Sequence, residues 1–412
     1  MSIYMSLKGR CVLMILCWLL GTGSLFPWNS MLNVIDFYTD LFPKYHPSRV
    51  LSVVYSPIAF ATLAVMVCFE SSINTRRRNL TGYTIYFVVS VFILVLETSM
   101  SRRGGLGNFI GVCFSSGAIG YADAHVAGGM IGELAFMQPE FTQSFLAGMA
   151  ASGALTSGLR LVTKAAFKNA KTGMRTGALT FFALSAGFNL FCVLLYAFVF
   201  PKLPLVKHYR LKAASEGSKT VLADLAAAGI RAQTQNEDEA RVTKDDRLSV
   251  IQLLVENLDY GFDTFLVSTV TLSIFPGFLF EDTGHHSLGS WYALILIAVY
   301  NLWDLIGRYV PLIKFMSIES RKVVLALVCS RLLFVPAFYF TAKYGAQGWM
   351  IFLTSFLGIT NGYFSVCIFT AAPKGYIGPE QNALGNLLCL CLQGGIFIGI
   401  ALDWLWLIGK GW

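Results

Sequence analysis

Apolar stretches of about 20 residues recur along almost the whole of this chain, each long enough to carry an α-helix across the roughly 30 Å of a bilayer's hydrocarbon. Nothing else constrains the fold as strongly. Inside hydrocarbon every backbone N–H and C=O must find its partner within protein, so lone segments of this length have to be helices. Eleven such spans can be marked, at 11–37, 51–69, 83–99, 108–130, 142–163, 177–200, 261–280, 290–312, 323–342, 348–371 and 381–408. The sequence therefore predicts an all-α integral membrane protein. Only 13% of its residues are charged, about half the share in soluble domains, so no large soluble domain is expected beside the spans.

The first span follows Lys8 and Arg10, as a signal peptide would, but it outruns the usual apolar core and no small-residue cleavage site follows. It reads as a retained span. The nine cysteines lie in or beside apolar segments without metal-ligand spacing and read as small buried hydrophobes. The formal charge of +8 fits basic loops beside a membrane and gives no reason to expect nucleic acid.

One long polar segment, 201–249, divides the spans into six and five. The expected domains are thus an N-terminal bundle at 1–200, a loop at 201–249 and a C-terminal bundle at 250–412. Such a layout resembles the two-bundle architecture of secondary transporters, whose substrate site lies between the halves near the midplane. The loop carries nine Lys and Arg, which places it and the amino terminus in the cytoplasm. In the fourth and fifth spans, Gly128 with Gly132 and Gly148 with Ser152 recur at four-residue spacing, a pattern that lets helix backbones approach closely.

Polar groups inside a bilayer cost several kcal/mol unless they meet a partner or an aqueous cavity, so they mark where function is to be sought. In YNLWDLIGR, Tyr300 to Arg308, Asp304 and Arg308 share one helix face with Asn301. A carboxylate, a guanidinium and an amide on one stripe suit a ligand rich in hydroxyls; a self-contained structural ion pair is the alternative. In GTGSLFPWNS, Gly21 to Ser30, the proline predicts a loosened turn, with Trp28 as a flat wall for a planar ring and Asn29 or freed carbonyls supplying polarity. Asp123, in GYADAHV, has no partner nearby in sequence and is a candidate to bind a base or to carry a proton. Glu97, Arg160, Asp263, Arg331 and Asp403 fall nearer the ends of spans, where side chains reach out to the interface.

Templates for catalysis are missing. The chain has no G-x-x-x-x-G-K-[ST] phosphate loop and no G-x-S-x-G nucleophile elbow, and His125 alone makes no metal site. Gradient-driven transport is expected rather than an enzyme, with neither cofactor nor metal.

GTGSLFPWN at 21–29, FPG at 275–277, YNLWDLIGR at 300–308, SRLLFVP at 330–336 and TNGYFSVCIFTAAPK at 360–374 together resemble the marks of equilibrative nucleoside transporters, in their order and spacing. The tract from Pro139 to Phe167 is similar to plant members in particular. The resemblance implies eleven helices in a major-facilitator-like 6+5 arrangement, with amino terminus and central loop cytoplasmic and the carboxyl terminus outside. It implies that Trp28 faces the nucleobase and that Asp304 and Arg308 meet the ribose. Asp123 stands where animal members carry a base-contacting glutamine, a departure that leaves room for proton coupling. The expected substrates are purine and pyrimidine nucleosides such as adenosine and uridine, moved across the plasma membrane, with an internal membrane as the alternative. A carrier of sugars or other polar metabolites, and a receptor that binds nucleosides without moving them, are the competing readings.

Overall fold

Each apolar run becomes a helix. The computed structural model describes residues 7–70, 73–99, 105–166, 173–216, 248–281, 288–318, 320–344 and 347–407. Eleven long helices cross the bundle among these residues: α1 (Leu7–Asn33), α2 (Pro47–Cys68), α3 (Thr75–Ser99), α4 (Leu106–Ala135), α5 (Pro139–Ala166), α6 (Arg175–Lys202), α7 (Leu258–Leu279), α8 (Tyr292–Leu312), α9 (Arg321–Tyr344), α10 (Gln347–Ala371) and α11 (Gly378–Trp406). Ten of them are long and apolar enough to span a membrane. α4, with 30 residues, carries Asp123, His125 and Glu133, and protein covers nearly all of its second half. Its polar groups are thereby kept from lipid.

Two expectations change. α1 runs without a break through Pro27, so the GTGSLFPWNS stretch is no loosened turn. Its residues are largely buried among other helices, where neighbours hold the helix through the proline. The five charges expected near span ends are buried rather than reaching outward. Arg160 pairs with Asp36, and Asp403 stands 3.5 Å from Arg49. Where a partner lies within reach, burial replaces the interface.

Helices α1 to α6 pack mainly with one another, as do α7 to α11, and the two groups meet where α5 faces α8 and where α4 and α2 face α11. Within the groups some approaches are backbone to backbone. A Cβ on Gly148 of α5 would fall far inside contact distance of the Trp18 carbonyl of α1. One on Gly362 of α10 would do the same against the Asp304 carbonyl of α8. Gly128 and Gly132 act differently: they make room for the side chains of Arg78, Asn382 and Asn386.

After α6 a short helix, Pro204–Ser215, lies across the face of the bundle on which α1 begins. Arg210 on it donates from Nε to Glu133 Oε1 of α4 at 2.8 Å. Just beyond it, Glu216 accepts from the Gly378 amide of α11, also at 2.8 Å. The central segment from 217 to 247, with its QTQNEDEARVTKDDR run, lies outside the described residues.

Candidate functional site

All six residues singled out in the sequence, Trp28, Asn29, Asp123, Asn301, Asp304 and Arg308, line a single cavity of about 190 Å³ where the two helix groups meet. Two pairs of aromatic rings stand in its otherwise largely aliphatic wall. Trp28 stacks on Tyr55 with ring centres 4.1 Å apart, and Phe275 on Tyr300 at 4.0 Å. Flat apolar surfaces with a few fixed polar groups are the usual makeup of a small-molecule site.

One carboxylate comes from α4. Asp123 Oδ2 accepts from the Tyr55 hydroxyl at 2.8 Å and from Gln393 Nε2 at 2.6 Å, and Oδ1 accepts from the Tyr86 hydroxyl at 3.1 Å. These donors belong to α2, α11 and α3, so four helices fix this acid. Each of the three is a neutral group. Gln393 Oε1 has no hydrogen-bond partner within the described protein and remains an acceptor.

The second carboxylate comes from α8. Asp304 Oδ2 lies 3.1 Å from Arg308 Nη2, one turn along the same helix, and Oδ1 accepts from Asn361 Nδ2 of α10 at 2.7 Å. The arginine also reaches across the seam: its Nη1 donates to the Leu146 carbonyl of α5. Gln143 of α5 answers with a 3.0 Å bond to the Arg308 carbonyl. The two asparagines face α5 as well. Asn29 donates to Ser152 Oγ at 2.6 Å, and Asn301 donates to Ser157 Oγ at 2.7 Å.

Sequence reasoning missed Tyr55, Tyr86 and Gln393 altogether. Tyrosines in an apolar run read as packing or as interface anchors, and only their convergence on Asp123 gives them another role. Asn361 lay within the TNGYF run but carried no assigned part.

The nucleoside transporter family profile matches residues 114–408. The chain is 58% identical over 404 residues to equilibrative nucleotide transporter 3 of Arabidopsis thaliana, which spans 98% of this chain and 96% of the relative. To equilibrative nucleotide transporter 2 of the same plant it is 57% identical over 405 residues, spanning 98% and 97%. Among solved structures, the human organic anion transporter MFSD10 matches with a TM-score of 0.58 at 15% identity, over 98% of this chain and 95% of that one. The E. coli fucose:proton symporter FucP gives 0.56 at 10% identity, over 98% and 93%. At those identities the likeness is one of fold, and the fold is that of major-facilitator carriers. Relatives this similar over nearly the full length indicate a carrier and not an enzyme: the chain belongs to the nucleoside transporter family and is a multi-pass membrane carrier of nucleoside-type substrates.

Proposed function

We propose that this carrier moves uncharged purine and pyrimidine nucleosides, adenosine and uridine among them, by alternating access. The base lies beside Trp28 with Asp123 and Gln393 at its edge, and the ribose hydroxyls meet Asp304 and Arg308. The supporting observation is the convergence of aromatic walls and two separately held carboxylates in one cavity. Charge narrows the substrate. Among the described residues the charged groups lining the cavity are Asp123, Asp304 and Arg308, and the one cation among them is already paired with Asp304. A phosphorylated nucleotide would bring further negative charge into a site where the described residues offer no second cation to meet it, at a steep desolvation cost. That favours nucleosides over nucleotides.

The bundles at 1–200 and 250–412 rock about this cavity, with the amino terminus and the 201–249 segment in the cytoplasm of a plasma-membrane protein. A carboxylate whose hydrogen bonds among the described residues come from neutral donors also supports a second reading, in which Asp123 carries a proton with the nucleoside. Uptake of labelled adenosine and uridine by cells lacking their own carriers tests the main reading. The expected result is saturable uptake, competed by unlabelled nucleosides and not by nucleoside monophosphates or hexoses. Binding without accumulation would instead mark a receptor, and competition by hexoses alone a sugar carrier.

A further inference from the structure

Arg331 does not line the cavity, yet it is 2% exposed, in the 3-10 turn Arg331–Leu333 within α9. A guanidinium so deeply buried ordinarily meets a carboxylate. Here its side-chain hydrogen bond within the described protein runs from Nη2 to Thr271 Oγ1 of α7, at 2.7 Å, while Nε and Nη1 have no such partner. Thr271 Oγ1 in turn stands 2.9 Å from Asn361 Oδ1, and Asn361 Nδ2 donates to Asp304 Oδ1 at 2.7 Å. Four residues from α9, α7, α10 and α8 thus form one chain that ends on the carboxylate.

The direction of that chain begins at the arginine. A guanidinium can only donate, so Thr271 Oγ1 accepts from it and directs its own proton elsewhere. Two acceptors are within reach, Asn361 Oδ1 and the Val267 carbonyl at 2.8 Å. A hydroxyl that accepts from a cation becomes a stronger donor. With Oδ1 of Asn361 turned to that hydroxyl, Nδ2 faces Asp304; turned over, the amide would set its oxygen against a carboxylate. Each Asp304 oxygen keeps acceptor capacity beyond the bond it already makes.

We propose that Arg331 is a positioning residue for sugar recognition: through Thr271 and Asn361 it fixes the amide that aims the Asp304 carboxylate at the 2′- and 3′-hydroxyls of ribose. This rests on the reading that ribose sits at Asp304. A relay of this kind governs discrimination between sugars rather than the presence of a fold.

The test compares uptake of uridine and 2′,3′-dideoxyuridine by the full-length carrier in transport-deficient cells. The readout is the ratio of their Vmax/KM values, from which surface abundance cancels. The parent is expected to favour uridine by about tenfold or more, as sites built to bond a hydroxyl reject analogues lacking it. Thr271→Val keeps the shape and leaves the Arg331 charge in place; it is expected to raise the uridine KM, leave dideoxyuridine little changed, and bring the ratio close to one. Thr271→Ser is expected to restore the parental ratio. Arg331→Lys, which keeps the charge but not the reach, supplies a second variant if valine fails to reach the surface, with the same collapse expected. A parental ratio in Thr271→Val or Arg331→Lys, or an equal fall for both substrates, overturns the relay. A parent that transports both nucleosides equally well overturns the placement of ribose at Asp304 itself.

Discussion

The Arg308 guanidinium stands 3.1 Å from the Asp304 carboxylate on the same helix while donating across the seam to the Leu146 carbonyl. The pair is therefore a structural joint between the helix groups as well as part of the cavity wall. With side chains only 10% and 7% exposed, neither charge tolerates loss of the other. Asp304→Ala and Arg308→Ala should each reduce nucleoside uptake to less than about a tenth of the parent, since breaking a buried pair costs about 3–5 kcal/mol. Uptake measured together with surface biotinylation checks this; a variant at the surface that transports at the parental rate removes the pair from the site.

Stacking at Trp28 gives a graded expectation. Aromatic pairs contribute about 0.5–1.5 kcal/mol beyond area burial, so Trp28→Ala should raise the transport KM by about two- to tenfold or more, and Trp28→Phe by less. The ring's contact with Tyr55 also orients a donor to Asp123, so both changes act at the Asp123 end of the cavity. Equal KM values for the alanine variant and the parent would show that the base lies elsewhere.

Proton coupling at Asp123 has a definite sign. If the proton-loaded carrier is the form that takes nucleoside inward, lowering external pH raises its occupancy and uptake must rise as pH falls. Asp123→Asn fixes one state and should give a flat profile. Uptake at several external pH values, with and without a protonophore, decides the matter. Parental uptake that stops at equal inner and outer concentrations and ignores the protonophore leaves facilitated diffusion.

Asn79 begins the only N-x-[ST] sequon in the chain, NLT, just after three arginines. Its side chain is fully buried, donating to the Tyr196 hydroxyl at 2.9 Å and to Glu133 Oε2 at 3.3 Å. Glycosidase treatment should leave the protein's mobility unchanged, because the orientation proposed above sets this amide on the cytoplasmic side, away from the lumenal glycosyltransferase. Asn79→Ala should lower stability by about 1–3 kcal/mol, because the buried Tyr196 hydroxyl oxygen loses its donor while Glu133 Oε2 keeps only its bond from Tyr196. Thermal unfolding in detergent measures that loss; an unchanged melting temperature contradicts the network.

Close packing of α1 on α5 predicts that Gly148→Ala is destabilising although alanine is the better helix former. The added methyl meets backbone of Trp18 and Thr22, which cannot move aside as a flexible side chain would. A penalty of about 1–3 kcal/mol is expected, read as a lower melting temperature and reduced surface yield.

Hydrophobicity made the eleven helices legible, since length and apolarity are written locally. The Asp304 and Arg308 stripe was legible for the same reason: four-residue spacing puts both on one face whatever the tertiary structure. The Asp123 end of the cavity was not. Asp123 is held by residues 68, 37 and 270 positions away in sequence, and nothing local to Tyr55, Tyr86 or Gln393 signals that meeting. Arg331 looked like an interface residue because position along a span was the sole cue; burial comes from neighbours that a single span does not reveal.

At the glycine contacts of α1 with α5 and of α8 with α10 backbone meets backbone with no side chain between, so those points can neither compress nor slide. Each pair behaves as a single stiff stave. One stave carries Trp28 and Asn29, the other Asn301, Asp304, Arg308 and Asn361. If the carrier works by the alternating access proposed above, gaps would change between staves and not within them. Cargo would then be read by the same fittings inbound and outbound, and the fidelity of the return journey would come from stiffness rather than from a second lock.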